Sequence, residues 1–332
     1  MDAAAVHKEA FVFDLHSHAL LNMTYLGRDI SRRGPSPWVW NPLFNMIDLP
    51  KLAEGGVDGL VWTVYVPWNP LVPRDRAAMR SMDVFDAFVA RHPERVAHVR
   101  TATEAREAAS AGRIACFLGV EGGHSLGGRL ENVAEFARRG AVYLTIAHFF
   151  PNGVASSADF GRLFGDKGLT DFGRAVVGEL QRHRVLVDLA HCSERSFAEA
   201  MDLTEGPILF SHTGARALQP IERNISDEQA RAVARRGGLI GIIFFSAYHS
   251  RRVLGRLSDL LDNLCHLVSV AGADHVCIGS DMDGWIWAPL DLPDASCLPR
   301  LTEGMVRRGF SDGEIRAILG ENFLRVLAAV RP

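Results

Sequence analysis

Three things are scarce in this chain: paired cysteine, net charge and long unbroken apolar runs. Its five cysteines, Cys116, Cys192, Cys265, Cys277 and Cys297, stand singly and never as Cys-x-x-Cys, which argues against a disulfide framework or a thiolate zinc site. The 36 Lys and Arg against 39 Asp and Glu leave a formal charge of −3. Nothing in that balance favours nucleic acid or an acidic membrane surface as a partner. No stretch approaches the roughly 18 apolar residues of a spanning helix, and residues 1–10 carry His7, Lys8 and Glu9 where a secretory signal would place an apolar core. The expectation is a reduced, cytoplasmic protein without secretory signal or lipid-anchor tail. A Gly-x-Gly-x-x-Gly phosphate turn after the first strand-like run is also missing, which counts against a doubly wound nucleotide-binding sheet.

What the chain has is periodicity and histidine. Short β-branched or apolar runs recur at 11–15, 59–66, 114–120, 141–147, 185–189, 208–211, 239–245 and 276–279. Between them lie charged segments of helical period at 74–91, 130–139, 170–184, 193–203, 226–236 and 254–271. Continuous apolar strands alternating with helices imply parallel βαβ units, and eight of them predict one (β/α)8 TIM barrel domain over 1–332. Ser226 and Ser311 are placed as helix N-caps, the second with Glu314 at capping-box spacing. The glycine pairs Gly55-Gly56 and Gly237-Gly238 are placed as helix ends. Residues 19–50, rich in Pro, Asn and aromatics such as Trp38, Trp40 and Phe44, read as a long loop after the first strand that serves as lid or pocket wall. Extra helices are expected at the C-terminus.

The polar residues at or just beyond the C-terminal ends of these runs are His16 and His18, Glu121, His148, His191, His212 and Asp281. In a barrel those ends converge on the face where active sites lie. One strand-end histidine is more often a hydrogen-bonded structural residue, but five of the chain's 13 histidines at one rim predict a metal site. His16 and His18, two apart on an extended strand, share a face. Glu121 can bridge two ions, and His191 with His212 completes a second site. Imidazole and carboxylate without thiolate suit Zn, Fe, Mn or Ni. Asp14 is a candidate to orient a ligand, with capping or ion pairing as alternatives. His124 is left open by its closeness to Glu121, and Cys192, beside His191, reads as a small buried hydrophobe. His7, His92, His98, His183, His249, His266 and His275 read as solvated or structural.

Eight stretches together resemble the membrane (renal) dipeptidase family of the amidohydrolase superfamily. They are 59–67 (Gly-Leu-Val-Trp-Thr-Val-Tyr-Val-Pro), 119–123 (Gly-Val-Glu-Gly-Gly), 143–148 (Tyr-Leu-Thr-Ile-Ala-His), 187–193 (Val-Asp-Leu-Ala-His-Cys-Ser), 207–212 (Pro-Ile-Leu-Phe-Ser-His), Arg223-Asn224, 278–284 (Ile-Gly-Ser-Asp-Met-Asp-Gly) and 320–326 (Gly-Glu-Asn-Phe-Leu-Arg-Val). They run in family order over most of the chain.

The resemblance implies a binuclear metallodipeptidase with two divalent ions, zinc foremost, in which a metal-bridging hydroxide attacks the amide carbonyl of a small dipeptide. It implies that His16 and His18 hold the first ion, Glu121 bridges, and His191 and His212 hold the second. His148 then contacts the substrate and steadies the oxyanion, Arg223 and Tyr248 bind the substrate carboxylate, and Asp281 passes a proton to the leaving amine. A homodimer is implied as well. One position departs: the family has His-x-Asp where this chain has His16-Ser17-His18, which removes one negative charge from the first site. That pattern, commoner elsewhere in the superfamily, makes an N-acyl amino acid deacylase or lactonase the alternative enzyme, with a catalytically weak binding protein as the third reading.

Overall fold

A computed structural model describes residues 2–35, 44–69, 71–159, 161–252 and 254–332. Its strands are β1 (Phe13–Ser17), β2 (Gly59–Tyr65), β3 (Val96–His98), β4 (Ile114–Glu121), β5 (Ala141–Thr145), β6 (Leu186–Asp188), β7 (Leu209–Thr213), β8 (Leu239–Ile242) and β9 (Val276–Ile278). All eight apolar runs thus become strands. They lie in the order β1-β2-β4-β5-β6-β7-β8-β9, every pair parallel. The additional β3, three residues long and too short to show a period, pairs with Ile114–Cys116 at the start of β4. The ring is drawn shut at its C-terminal end, where the Asp281 amide donates to the His16 carbonyl (2.9 Å) and the His18 amide to the Met282 carbonyl (2.8 Å). This is an eight-stranded parallel barrel with flanking helices.

The helices fall where the charged segments predicted them: Arg74–Arg91, Glu131–Arg138, Asp171–Arg182, Glu194–Leu203, Asp227–Arg235 and Leu257–Ala271. Ser226 and Ser311 both close capping boxes, with Gln229 and Glu314. Gly56 and Gly237 adopt φ of +65° and +67° after helix ends, a left-handed turn that glycine takes without strain. Three helices, Pro299–Arg307, Asp312–Arg316 and Asn322–Val330, follow the barrel. The last delivers Phe323 beneath it, its ring stacked 4.1 Å from Phe13 and edge-on to Phe117 at 5.3 Å. Leu15, Val61, Tyr143, Leu186, Leu209 and Leu239 join that inner cluster. The lumen is therefore packed solid at the end of Phe13, and only the opposite end is left to chemistry.

The connection after β1 differs from the loop expected over 19–50. Ala19–Leu26 is an α-helix with Ala19 to Asn22 buried. Its eight residues are apolar on most sides, and its N-cap is His18 without a side-chain bond, so neither amphipathic period nor cap marked it. Leu21 lines the pocket described below, so this connection does form pocket wall. Trp38 and Trp40 lie outside the described residues. Farther on, Arg28 Nη1 reaches Asp283 Oδ2 (3.4 Å), the Met46 amide donates to Asp283 Oδ1 (2.8 Å), and fully buried Lys51 pairs with Asp48 (3.2 Å). A lysine can be buried only when so partnered. Through Asp283 the connection is pinned to the loop that carries Asp281.

Candidate active site

His18, Glu121, His148, His191, His212, Arg223, Tyr248 and Asp281 line one cavity of about 240 Å³, and His16 sits fully buried against them. Every residue nominated from the sequence is brought to this one place. The way they arrive is not simple strand alternation. Register shifts interrupt β1 between Asp14 and Ser17 and β7 between Phe210 and Thr213. Bulges of this kind re-aim a side chain and gather near active sites, and here they carry His16 and His212. β1 ends at Ser17, so His18 belongs to the helix cap and the shared-face reasoning does not describe it. Its Nε2 still lies 3.1 Å from His16 Nε2. His191 and Asp281 hold φ of 66° and 60°, a left-handed backbone that costs a non-glycine residue about 1–3 kcal/mol and recurs at functional sites.

Glu121, the last residue of β4, sits at the centre. Its Oε1 lies 3.5, 3.2 and 3.4 Å from the Nε2 atoms of His16, His191 and His212, and its Oε2 lies 3.4 Å from those of His18 and His148. Burial opposes ionisation of this carboxyl, but His148 and His16 outweigh it and hold it well below the usual carboxylate range. Burial, with His16, Arg223 and His191 adding to it, holds His212 well below the ordinary imidazole value.

The ring protons can be placed. Ser211 Oγ donates to Asp188 Oδ2 (2.6 Å) and so accepts from His212 Nδ1 (2.8 Å). His191 Nδ1 has two neighbours, Asp159 Oδ2 at 2.7 Å and Arg223 Nε at 3.1 Å. The carboxylate is nearer and only accepts, so the proton is on Nδ1. Both rings therefore point Nε2 inward toward Glu121, the two atoms 3.0 Å apart. Two ring nitrogens this close share either a proton or a cation, and rings oriented through Nδ1 are characteristic of metal ligands. Three sets of donors lie close enough to share an ion: His16, Glu121 and His212; His16, His18 and Asp281; Glu121, His148 and His191. The donor set fits divalent metal.

On the other wall Arg223, 4% exposed, leaves Nη1 and Nη2 buried and without a partner among the described residues. Its guanidinium carbon lies 5.6 Å from the centre of the Tyr248 ring. A buried unpaired fork of donors is costly to keep and matches a carboxylate. Asp281 Oδ1 stands 3.1 Å from His18 Nε2. An added Cβ at Gly284 would collide with Asp281 Oδ1 and sit 2.7 Å from His18 Cδ2, so any larger residue there would push both side chains aside.

Several supporting residues escaped the sequence reading. Asp159 lies in the irregular segment after β5, where no spacing marks it. Tyr143, whose hydroxyl is 2.8 Å from His16 Nδ1, reads in sequence as one more apolar strand residue. Asp188 stood inside a quoted motif, yet its role in holding Ser211 appears only in three dimensions. Asp14 takes bonds from the amide and hydroxyl of Ser280 and from the His16 amide, so it aligns β1 with the Asp281 loop rather than a ligand ring. His124 donates Nε2–H to the Val66 carbonyl (3.0 Å). Cys192 is buried, which pushes its thiol well above the usual value and removes it as a thiolate.

Known proteins match this chain in sequence and in fold. A sequence model of the membrane dipeptidase family, peptidase family M19, matches residues 1–332. Among solved structures, the probable dipeptidase PvdM from Pseudomonas aeruginosa superposes with a TM-score of 0.89 at 22% identity, over 99% of this chain and 97% of that one, and so shares the fold. A metallopeptidase from Rhodobacter sphaeroides, solved with a phosphinate mimic of the dipeptide L-Ala-D-Ala, gives 0.85 at 25% identity over 96% and 99%. A family M19 metallopeptidase described as dipeptidase AC gives 0.85 at 26% over 96% and 98%.

Proposed function

The chain belongs to the membrane dipeptidase family, peptidase family M19, and from that premise we propose that it is a binuclear metallodipeptidase. His16 and His18 would hold one ion, His191 and His212 the other, and Glu121 both, with zinc the expected metal. Bound there, two divalent ions lower the pKa of a water and polarise the amide carbonyl. The observation that carries the dipeptide reading is the unpaired guanidinium of Arg223 beside the inward-facing imidazoles. It supplies a fork for a free C-terminal carboxylate next to the atoms that would hold metal.

The protein's own groups then have distinct tasks. Arg223 grips the carboxylate through Nη1 and Nη2 while Tyr248 stacks near it, which fixes the distance from that end to the amide. His148, buried and facing Glu121, offers a donor to the carbonyl oxygen as charge develops there. Asp281 Oδ1 receives a proton and returns it to the departing amine. Asp159 holds both His191 and, at 3.9 Å, Arg223, so the metal side and the carboxylate side are set by one residue. With His18 where the family has Asp, the first site is one negative charge poorer, which favours a more weakly held ion.

A panel of dipeptides, N-acyl amino acids and lactones, run on one metal-loaded preparation, tests this. Dipeptides should be the best substrates; preference for a lactone or N-acyl amino acid would replace the reading. Arg223→Ala should raise KM for dipeptides about 100-fold at unchanged metal content. Equal loss of metal would contradict the role given to Arg223.

A further inference from the structure

A second cavity, of about 380 Å³, adjoins the first and shares Tyr65 and His148 with it. Its walls are largely aromatic and apolar, with Trp68 and Phe150 on the outer side, and no acidic side chain lines it among the described residues. Arg74, half-buried, is its one cation among the described residues. No carboxylate lies within ion-pair distance of Arg74 among the described residues. Neighbouring Asp75 is turned instead to the Arg76 amide (2.9 Å) and Arg129 (3.9 Å). His124, on the same wall, is neutral, since burial pushes its pKa down to about 4. The cavity thus offers largely apolar walls and, among the described residues, one positive charge with no carboxylate paired to it.

Its placement relative to the metal-type residues is ordered. Arg223 touches His191; the His191 and His148 rings are 4.6 Å apart; the His148 and Tyr65 rings are 4.7 Å apart. A dipeptide with its carboxylate on Arg223 and its amide over the donor cluster therefore runs toward Tyr65 with its N-terminal residue. We infer that this second cavity receives the side chain of the substrate's N-terminal residue, and that it selects an apolar stem ending in a carboxylate, which Arg74 takes up. Glutamate and its longer homologue aminoadipate fit that description. A lysine chain of similar length brings the wrong charge, and like-charge contact is an effective means of rejection. The inference rests on the dipeptidase reading of the adjoining site.

The test compares kcat/KM of the metal-loaded full chain for Glu-Ala, aminoadipyl-Ala, Ala-Ala and Lys-Ala. The acidic pair should exceed Lys-Ala about tenfold or more, a typical scale for one partly buried charge contact. Arg74→Glu should invert the Glu-Ala to Lys-Ala ratio, and Arg74→Gln should bring it near one. Because both substrates are measured on the same preparation, the ratio is independent of how much of a variant folds. Hydrolysis of these dipeptides with a ratio that neither variant moves would overturn the subsite and leave the dipeptidase reading standing. Failure of the unaltered protein to hydrolyse any of the four removes that reading, and the subsite with it.

Discussion

The two halves of the donor cluster are built to different standards. On the His191–His212 side each ring is anchored through Nδ1 to a carboxylate, directly to Asp159 for His191 and by way of Ser211 to Asp188 for His212. On the His16–His18 side, among the described residues, His16 Nδ1 meets only the Tyr143 hydroxyl and His18 Nδ1 is buried with no partner. Carboxylates behind ligand histidines fix ring orientation and raise basicity. The difference teaches that one ion would be held by a rigid, electron-rich pair and the other by a looser pair that also lacks the family's aspartate.

The strongest way to break this comparison is to remove what the halves share. Glu121→Gln should drop bound metal below one ion per chain and lower kcat/KM for a dipeptide at least about 10³-fold, as read by elemental analysis and initial rates. Asp159→Asn attacks only the firm half. It should weaken one ion about 10- to 100-fold and also raise KM through Arg223, so a variant with unchanged metal affinity would refute the support role. Tyr143→Phe attacks the loose half and should cost less, roughly tenfold or below in affinity for the other ion, by competition with a graded chelator.

The smallest expected effect concerns a histidine outside the cluster. Burial pushes His249 down to about 4 from an ordinary value of 6.5, and its Nε2 donates to the Ile243 carbonyl (2.6 Å). The folded state keeps this ring neutral while the unfolded chain protonates it below about 6.5. Stability should therefore fall as pH drops from 6.5 toward 4 and level off below that. His249→Gln should flatten part of that slope in urea titrations at several pH values.

How much of this was legible in the sequence follows from what each feature depends on. The eight strands and six of the helices were readable because each buries a face with its own period, and Glu121, His148, His191, His212 and Asp281 because barrel topology brings strand ends together. The helix Ala19–Leu26 was hidden by an apolar composition without period. The bulges that aim His16 and His212 depend on pairing with neighbouring strands. Asp159 and Tyr143 matter only through partners 32 and 127 residues away. The residues that gather into the donor cluster could be read locally, and the unequal support behind them could not.

The most direct measurement is equilibrium dialysis of the metal-free protein against buffered zinc, with metal per chain and dipeptide hydrolysis followed together. The account predicts two separate steps of one ion each, the tighter one abolished or weakened by Asp159→Asn, and activity rising with the second. Saturation at a single ion with full activity, or two ions bound in one indistinguishable step that Asp159→Asn leaves unmoved, would contradict it.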